Sequence, residues 1–407
     1  MAGAIEERLY AYRWTILLII FLVNTIFNFS IFQIGGLASR IIPAFHLQGS
    51  QLAMVLSVSF LTNAIIGIPA GILADRFGVK NVVATGLVLT VISSFGRLTA
   101  NSFGILFIWM FILGVGPAFL NANAAKILGD WFPPQQMGMA MGIYIAGANT
   151  GITIALATSA FFSSLKVAFM TSAVMTLLAL FLWLLFIKPK SAGKPEVPIQ
   201  PLGEYLGVAL KSKYIWVGAI AMFFYMGTYV TQSGFLSNAL TQGKGITQVM
   251  AGLVASSLTI SFIIGTIIGP IISDKVGLIK PFLIPTAIIA AICSYLAWII
   301  PFGTLTWILL IIAGVMLGTS VPLIMSLPMM LPDIGPAYAG SAGGVISTLQ
   351  MAGAFVISSY VILPLAGKNM DQVFMYIGLG YLVFGLILIL LPELGRKAKK
   401  VNLKIPR

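Results

Sequence analysis

The chain has 407 residues, 59% of them apolar and only 8% charged, against roughly a quarter charged in a soluble domain. That composition excludes a water-soluble globule, and the formal charge of +13 has to be placed along the chain before it is read as a partner-binding surface. One cysteine, Cys293, and one histidine, His46, leave no internal disulfide and no cluster for a catalytic metal. No P-loop, nucleophile elbow or dinucleotide fingerprint stands at usable spacing, so neither an enzyme nor a cofactor is expected.

Apolar runs of about 20 residues, each long enough to cross ~30 Å of hydrocarbon as a helix, recur along nearly the whole chain. Breaking them at charges, Pro-Gly clusters and polar turns predicts twelve spans. The first, 14–37, follows Glu6 and Glu7, is too long for a signal-peptide core, and carries Asn24 and Asn28. Span 2, 50–73, holds Asn63 and runs into GILADRFGVK, with Asp75, Arg76, Gly78 and Lys80. Span 3, 82–100, carries Arg97; span 4, 104–128, carries Asn121, Asn123 and Lys126; span 5, 138–162, carries Tyr144 and Asn149. Span 6 covers 166–187, and a Lys- and Pro-rich linker, 188–213, follows. Span 7, 214–238, holds Tyr225, Tyr229 and Gln232, and span 8, 248–272, leads into PIISDKVGLIK, with Asp274, Lys275 and Gly277. Spans 9 to 12 cover 281–300, 304–330, 338–364 with Gln350, and 372–392, before a basic tail at 395–407.

Placing both termini in the cytoplasm puts 18 of the 23 basic residues on the inner side and leaves Arg40, Arg97, Lys166, Lys244 and Lys368 outside or near the outer face. Retained positive charge marks the cytoplasm, so the basic excess sets topology and implies no nucleic-acid partner. The expectation is a multi-pass protein of the plasma (inner) membrane.

The halves repeat at an offset of about 200 residues. Acid, base and glycine recur in register in Asp75-Arg76-Phe-Gly78 and Asp274-Lys275-Val-Gly277, while Gly138, Ala140, Gly142 and Gly151 of span 5 recur as Gly340, Ala342, Gly344 and Gly353 of span 11. The fold class is therefore an all-α integral membrane protein. Residues 1–187 and 214–394 form two six-helix bundles related by pseudo-twofold symmetry, and a parallel repeat of this kind predicts a solute site near the midplane between rocking halves.

At these residues the sequence resembles the major facilitator superfamily: GILADRFGVK is similar to that family's loop motif between spans 2 and 3, and PIISDKVGLIK to its weaker copy. The resemblance implies that Asp75 and Asp274, with Arg76, Lys80, Lys275 and Lys280 beside them, brace helix ends on the inner face and help to hold the outward-open state. Helix termination and charge retention account for the same residues equally well. Met110 stands four residues before Gly114, where many proton-linked members have arginine, and span 5 lacks the Gly-Pro motif of drug antiporters. Both absences argue against proton-driven drug efflux. Across spans 4 and 5, NANAAKILGDWFPPQQMGMAMGIYIAGANTG resembles nitrate/nitrite and cyanate porters and oxalate and monocarboxylate carriers. RWTILLIIFLVNTIFNF, YMGTYVTQSGFLSNAL and STLQMAG are similar to haem- and choline-related facilitators.

None of the ten acidic residues falls near the middle of a span, so a buried carboxylate relaying protons or binding sodium is not expected. Arg97 lies about 23 Å along span 3 from the inner face, placed either to attract an anion or to snorkel to outer headgroups. Lys126 suits an inner vestibule or the interface. What remains is an uncharged lining: Asn24 and Asn28 share one face of span 1, as Tyr225, Tyr229 and Gln232 do on span 7, with Asn63, Asn121, Asn123, Tyr144, Asn149 and Gln350 as further candidates. Each serves equally as a helix-to-helix hydrogen bond. The sequence thus reads as a monomeric secondary transporter in membrane lipid, working by alternating access on a small molecule. The solute is a monoanion or organic acid, moved by facilitated diffusion, exchange or substrate-borne proton coupling; the alternative is a neutral, zwitterionic or quaternary-amine solute attracted to tyrosine faces.

Overall fold

The computed structural model describes residues 2–132, 136–187, 202–331, 334–367 and 369–393, apart from the side chains of 2–11, 75, 137–138, 202–206, 274, 329 and 335–341. The predicted linker stretch 188–201 and the basic tail 395–407 lie outside the described residues. Among the described residues there is no strand, and twelve helices are long and apolar enough to cross a membrane: Tyr12–Gly36, Gly49–Ala74, Val79–Thr99, Phe103–Gly129, Met139–Phe161, Leu165–Phe186, Lys213–Lys244, Gln248–Ser273, Lys280–Ile299, Thr304–Met325, Ala342–Ala366 and Met370–Leu388. Lipid offers backbone groups no hydrogen-bond partner, so only helices that satisfy themselves are admissible here. The chain divides into two compact units, Met1–Glu196 and Val197–Arg407.

Span ends depart from expectation where a breaker was misjudged. Span 7 continues past the polar Asn238 to Lys244 and stops only at Gly245, whose φ of 67° is left-handed. The amides of Gly245 and Ile246 both turn back to the Leu240 carbonyl, the latter at 3.1 Å, an ending that the positive φ of glycine permits. Span 10 ends at Met325 rather than running to 330, because Pro322 and Pro328 each remove one ladder donor, and a separate turn, Leu327–Met330, follows. Residues 202–211, expected as linker, form the helix Leu202–Lys211. Its LGEYLGVALK repeat of apolar positions suits a helix lying against spans 7 and 11, and both contacts are present.

Span 4 shows how a bundle absorbs a break. Its helix is interrupted at Gly114, three residues before Pro117, which has no N–H for the Leu113 carbonyl. Thr90 of span 3 donates to that carbonyl at 3.4 Å, and Ser59 and Thr62 of span 2 donate to the carbonyls of Met110 and Phe111 at 2.8 Å each. The Thr90 hydroxyl thereby takes the place of the missing ladder bond, while the other two add to carbonyls that also receive the Gly114 amide.

In each unit one of the repeated glycines sits at a close helix contact. A Cβ on Gly151 would strike the Thr25 carbonyl oxygen of span 1, and a Cβ on Gly353 the Phe223 carbonyl oxygen of span 7. Small residues let these backbones approach where apolar side chains gain nothing over lipid. Span 11 then changes to a π-helix over Ile357–Ile362.

Candidate functional site

In the first unit the predicted polar residues come together. Asn24, buried on span 1, donates to the Tyr144 carbonyl of span 5 at 2.8 Å. Asn28, one turn on, donates to the Asn24 carbonyl at 2.9 Å and to Asn24 Oδ1 at 3.1 Å. The Tyr144 hydroxyl in turn donates to Oδ1 of Asn121 on span 4. These bonds fix the amide orientations. Among the described residues, Asn121 has its acceptor end occupied and no partner for its NH2, while Asn28 has its NH2 occupied and no partner for its oxygen. Asn63 on span 2 has no side-chain hydrogen bond to any described residue, and it is half-buried.

Asn28, Asn63 and Asn121 stand eight or more residues from the nearer end of their spans, about 12 Å of helix. Asn121 is exposed and the other two half-exposed. At that depth an amide facing hydrocarbon would lose hydration without compensation. Asn63 also lies about half a turn round the helix from Ile65 and Ile72, two of the apolar residues that span 2 exposes, and about a quarter turn from another, Leu73. Exposure at this depth makes Asn28, Asn63 and Asn121 the candidate lining. Asn123 and Asn149 do not share it: both are buried, and they donate back to the Phe119 carbonyl at 2.9 Å and the Ile145 carbonyl at 3.5 Å of their own helices. Asn123 also reaches the Ala70 carbonyl at 3.4 Å.

The second unit treats its matching residues differently. Tyr225 is fully buried and donates to the Leu317 carbonyl of span 10 at 2.9 Å. Its ring stacks on Tyr229 with centroids 6.3 Å apart and meets Phe384 at 5.0 Å, while Tyr229 meets Phe262 at 4.9 Å. Gln232 accepts from Tyr381 of span 12 at 2.7 Å and from Ser294 of span 9 at 3.4 Å. These side chains hold helices together, and no open ring face is left for an ammonium group. Gln350, buried on span 11, reaches Met226 Sδ at 3.8 Å.

Arg97 is neither at a headgroup nor open to water, which corrects the snorkelling expectation. It is 1% exposed, because a 3-10 turn at Arg97–Thr99 keeps the side chain inside the unit. There Nη1 donates to the Ser30 carbonyl of span 1 at 3.0 Å, Nη2 donates to Ser172 Oγ of span 6, and the guanidinium lies 5.1 Å from the Phe169 ring centroid. Among the described residues no carboxylate reaches it. Two of the other cations expected on that side also hold helix ends: Arg40 donates to the Phe162 carbonyl after span 5, and Lys244 to the carbonyls of Trp298 and, at 2.5 Å, Ile300 at the end of span 9. Cations are favoured at these carbonyl-rich termini. Lys126 is exposed and reaches the Gly71 carbonyl of span 2 at 3.4 Å.

The loop motif is half visible. Gly78 and Gly277 have φ of 83° and 75° and end spans 2 and 8, a conformation that costs other residues a steric penalty. The backbone of Asp75 and Asp274 is helical, but their side chains lie outside the described residues. Arg76 and Lys275 are exposed, and Lys80 donates to the Leu184 carbonyl of span 6 at 3.1 Å.

The family model of the Major Facilitator Superfamily matches residues 14–358. The chain belongs to that superfamily. It is accordingly a transporter and not an enzyme, working by the alternating access of its family. A solved bacterial homologue of the human lysosomal transporter Spinster has the same fold, with a TM-score of 0.74 at 16% identity over 93% of this chain and 95% of that one. A probable nitrate transporter, NarT, of Staphylococcus haemolyticus is 26% identical over 75% of this chain and 77% of its own length. The hexuronate transporter of Bacillus subtilis is 26% identical over 56% of this chain and 57% of its own length.

Sequence reasoning missed Ser30, Ser172, Ser294 and Tyr381 as the partners of the candidates it named. Single hydroxyls inside apolar runs carry no signal of which neighbour they face.

Proposed function

We propose that this facilitator carries a small monoanion or organic acid, by facilitated diffusion, exchange or with a proton travelling on the substrate. The observation that carries the reading is the placement of charge. None of the ten acidic residues lies mid-span, so a cationic solute would cross without a counter-charge. The free NH2 of Asn121 and the exposed Lys126 favour a solute that accepts hydrogen bonds. Two relatives that match this chain are named for anions, nitrate and hexuronate. The quaternary-amine alternative loses support because the Tyr225 and Tyr229 rings are covered by Phe384 and Phe262.

The excess of basic residues on the side of both termini supports a cytoplasmic position for both, in a bacterial-type inner membrane, with the Asp75 and Asp274 loops facing inward. A monomer suffices, since each chain carries both bundles. The test is uptake of labelled nitrate, cyanate and small carboxylates into proteoliposomes. Saturable uptake of at least one, competed by others of the set, is expected; uptake of none of them, with no competition, would exclude the reading.

A further inference from the structure

The three amides of the first unit left incompletely satisfied by the described residues stand on a ladder of depths along their spans. Counted from the ends that carry the loop motif, Asn121 lies 8 residues in, Asn63 11 and Asn28 16, which is about 12, 17 and 24 Å of helix. Their orientations are not interchangeable. Asn121 must offer NH2, because Tyr144 donates to its oxygen. Asn28 must offer oxygen, because its NH2 is held by Asn24. Asn63, with neither end bonded to a described residue, serves either way.

We infer that the solute is a polyhydroxylated carboxylate, bound with its carboxylate towards Asn121 and a hydroxyl donating to Asn28 Oδ1. A ladder about 12 Å long outreaches nitrate or a two-carbon acid, whereas a sugar acid spans most of it and presents both kinds of group. Nitrate has no donor at all, so it would leave the Asn28 oxygen without a partner, and a site built to hydrogen-bond a hydroxyl rejects an analogue lacking it. A neutral sugar would supply the donors but leave the Asn121 NH2 without its charge-assisted bond. The inference rests on the anion reading above and narrows it.

The test is isothermal titration of the purified full-length protein with glucuronate, gluconate, acetate, nitrate and glucose. Glucuronate or gluconate is expected to bind at least tenfold more tightly than acetate, nitrate and glucose, and Asn28→Leu to weaken that binding at least tenfold. Acetate or nitrate binding as tightly as both sugar acids would overturn the inference while leaving the anion reading standing. Glucose binding as tightly as the sugar acids would overturn it too, and binding of none of the anions would remove both.

Discussion

Lys80 and Lys280, 200 positions apart in sequence, make the same bond in their own units. Each donates through Nζ to a carbonyl in the last turns of that unit's sixth span, Lys80 to Leu184 at 3.1 Å and Lys280 to Ile389 at 2.6 Å. The duplication is thus preserved in contacts as well as in sequence. The halves then diverge. In the first unit the Trp183 indole donates to the Lys80 carbonyl at 3.1 Å. In the second, the Glu393 carboxylate accepts from the amides of Ile279 and Lys280, at 2.6 and 3.2 Å, and so caps the start of span 9.

Glu393→Gln should therefore lower the stability of the protein by about 1 kcal/mol, the usual worth of an N-cap. Thermal unfolding in detergent reads this as a drop in Tm, and an unchanged Tm would show that the cap contributes nothing.

Arg97→Met should leave the KM for the transported anion within about twofold of the parent, because the guanidinium is sealed among Ser30, Ser172 and Phe169. Folding should survive, since the partners of the guanidinium are a carbonyl and a hydroxyl, and its removal strands no buried counter-charge among the described residues. A KM raised tenfold in proteoliposomes, with protein of normal Tm, would restore Arg97 as an anion-attracting residue.

Gly151→Ala and Gly353→Ala should each cost about 1 to 3 kcal/mol by overpacking, since the added Cβ meets the carbonyl of Thr25 or of Phe223. Gly343→Ala, whose Cβ would meet nothing within 4 Å, is the control. Equal Tm values for all three would contradict the close approach.

Asp75→Asn should shift the balance between inward-open and outward-open forms, as the family motif implies. Labelling of engineered cysteines at the far end of the bundle measures that balance; equal labelling in variant and parent would refute the role.

The spans, their number and the duplication were legible because lipid imposes a length and an apolarity on every helix, and because GILADRFGVK and PIISDKVGLIK stand in register. The candidate site was legible only in part. Asn24, Asn28 and Tyr144 announce themselves as polar residues in apolar runs, and they do meet. Gln232 announces itself equally, yet it turns to Tyr381 and Ser294, and nothing in the pattern of span 7 indicates which neighbour a residue faces. Arg97 misled for a related reason: depth along a helix can be counted from sequence, whereas the Ser30 carbonyl that draws the side chain inward belongs to another span.

Transport through the first unit's amides requires that water reach them. With Cys293 replaced by alanine, cysteines introduced singly at positions 28, 63 and 121 should react in membrane vesicles with a water-soluble, membrane-impermeant thiol reagent, and the transported anion should slow the reaction at position 121. No reaction at any of the three, from either side of the membrane, would contradict it.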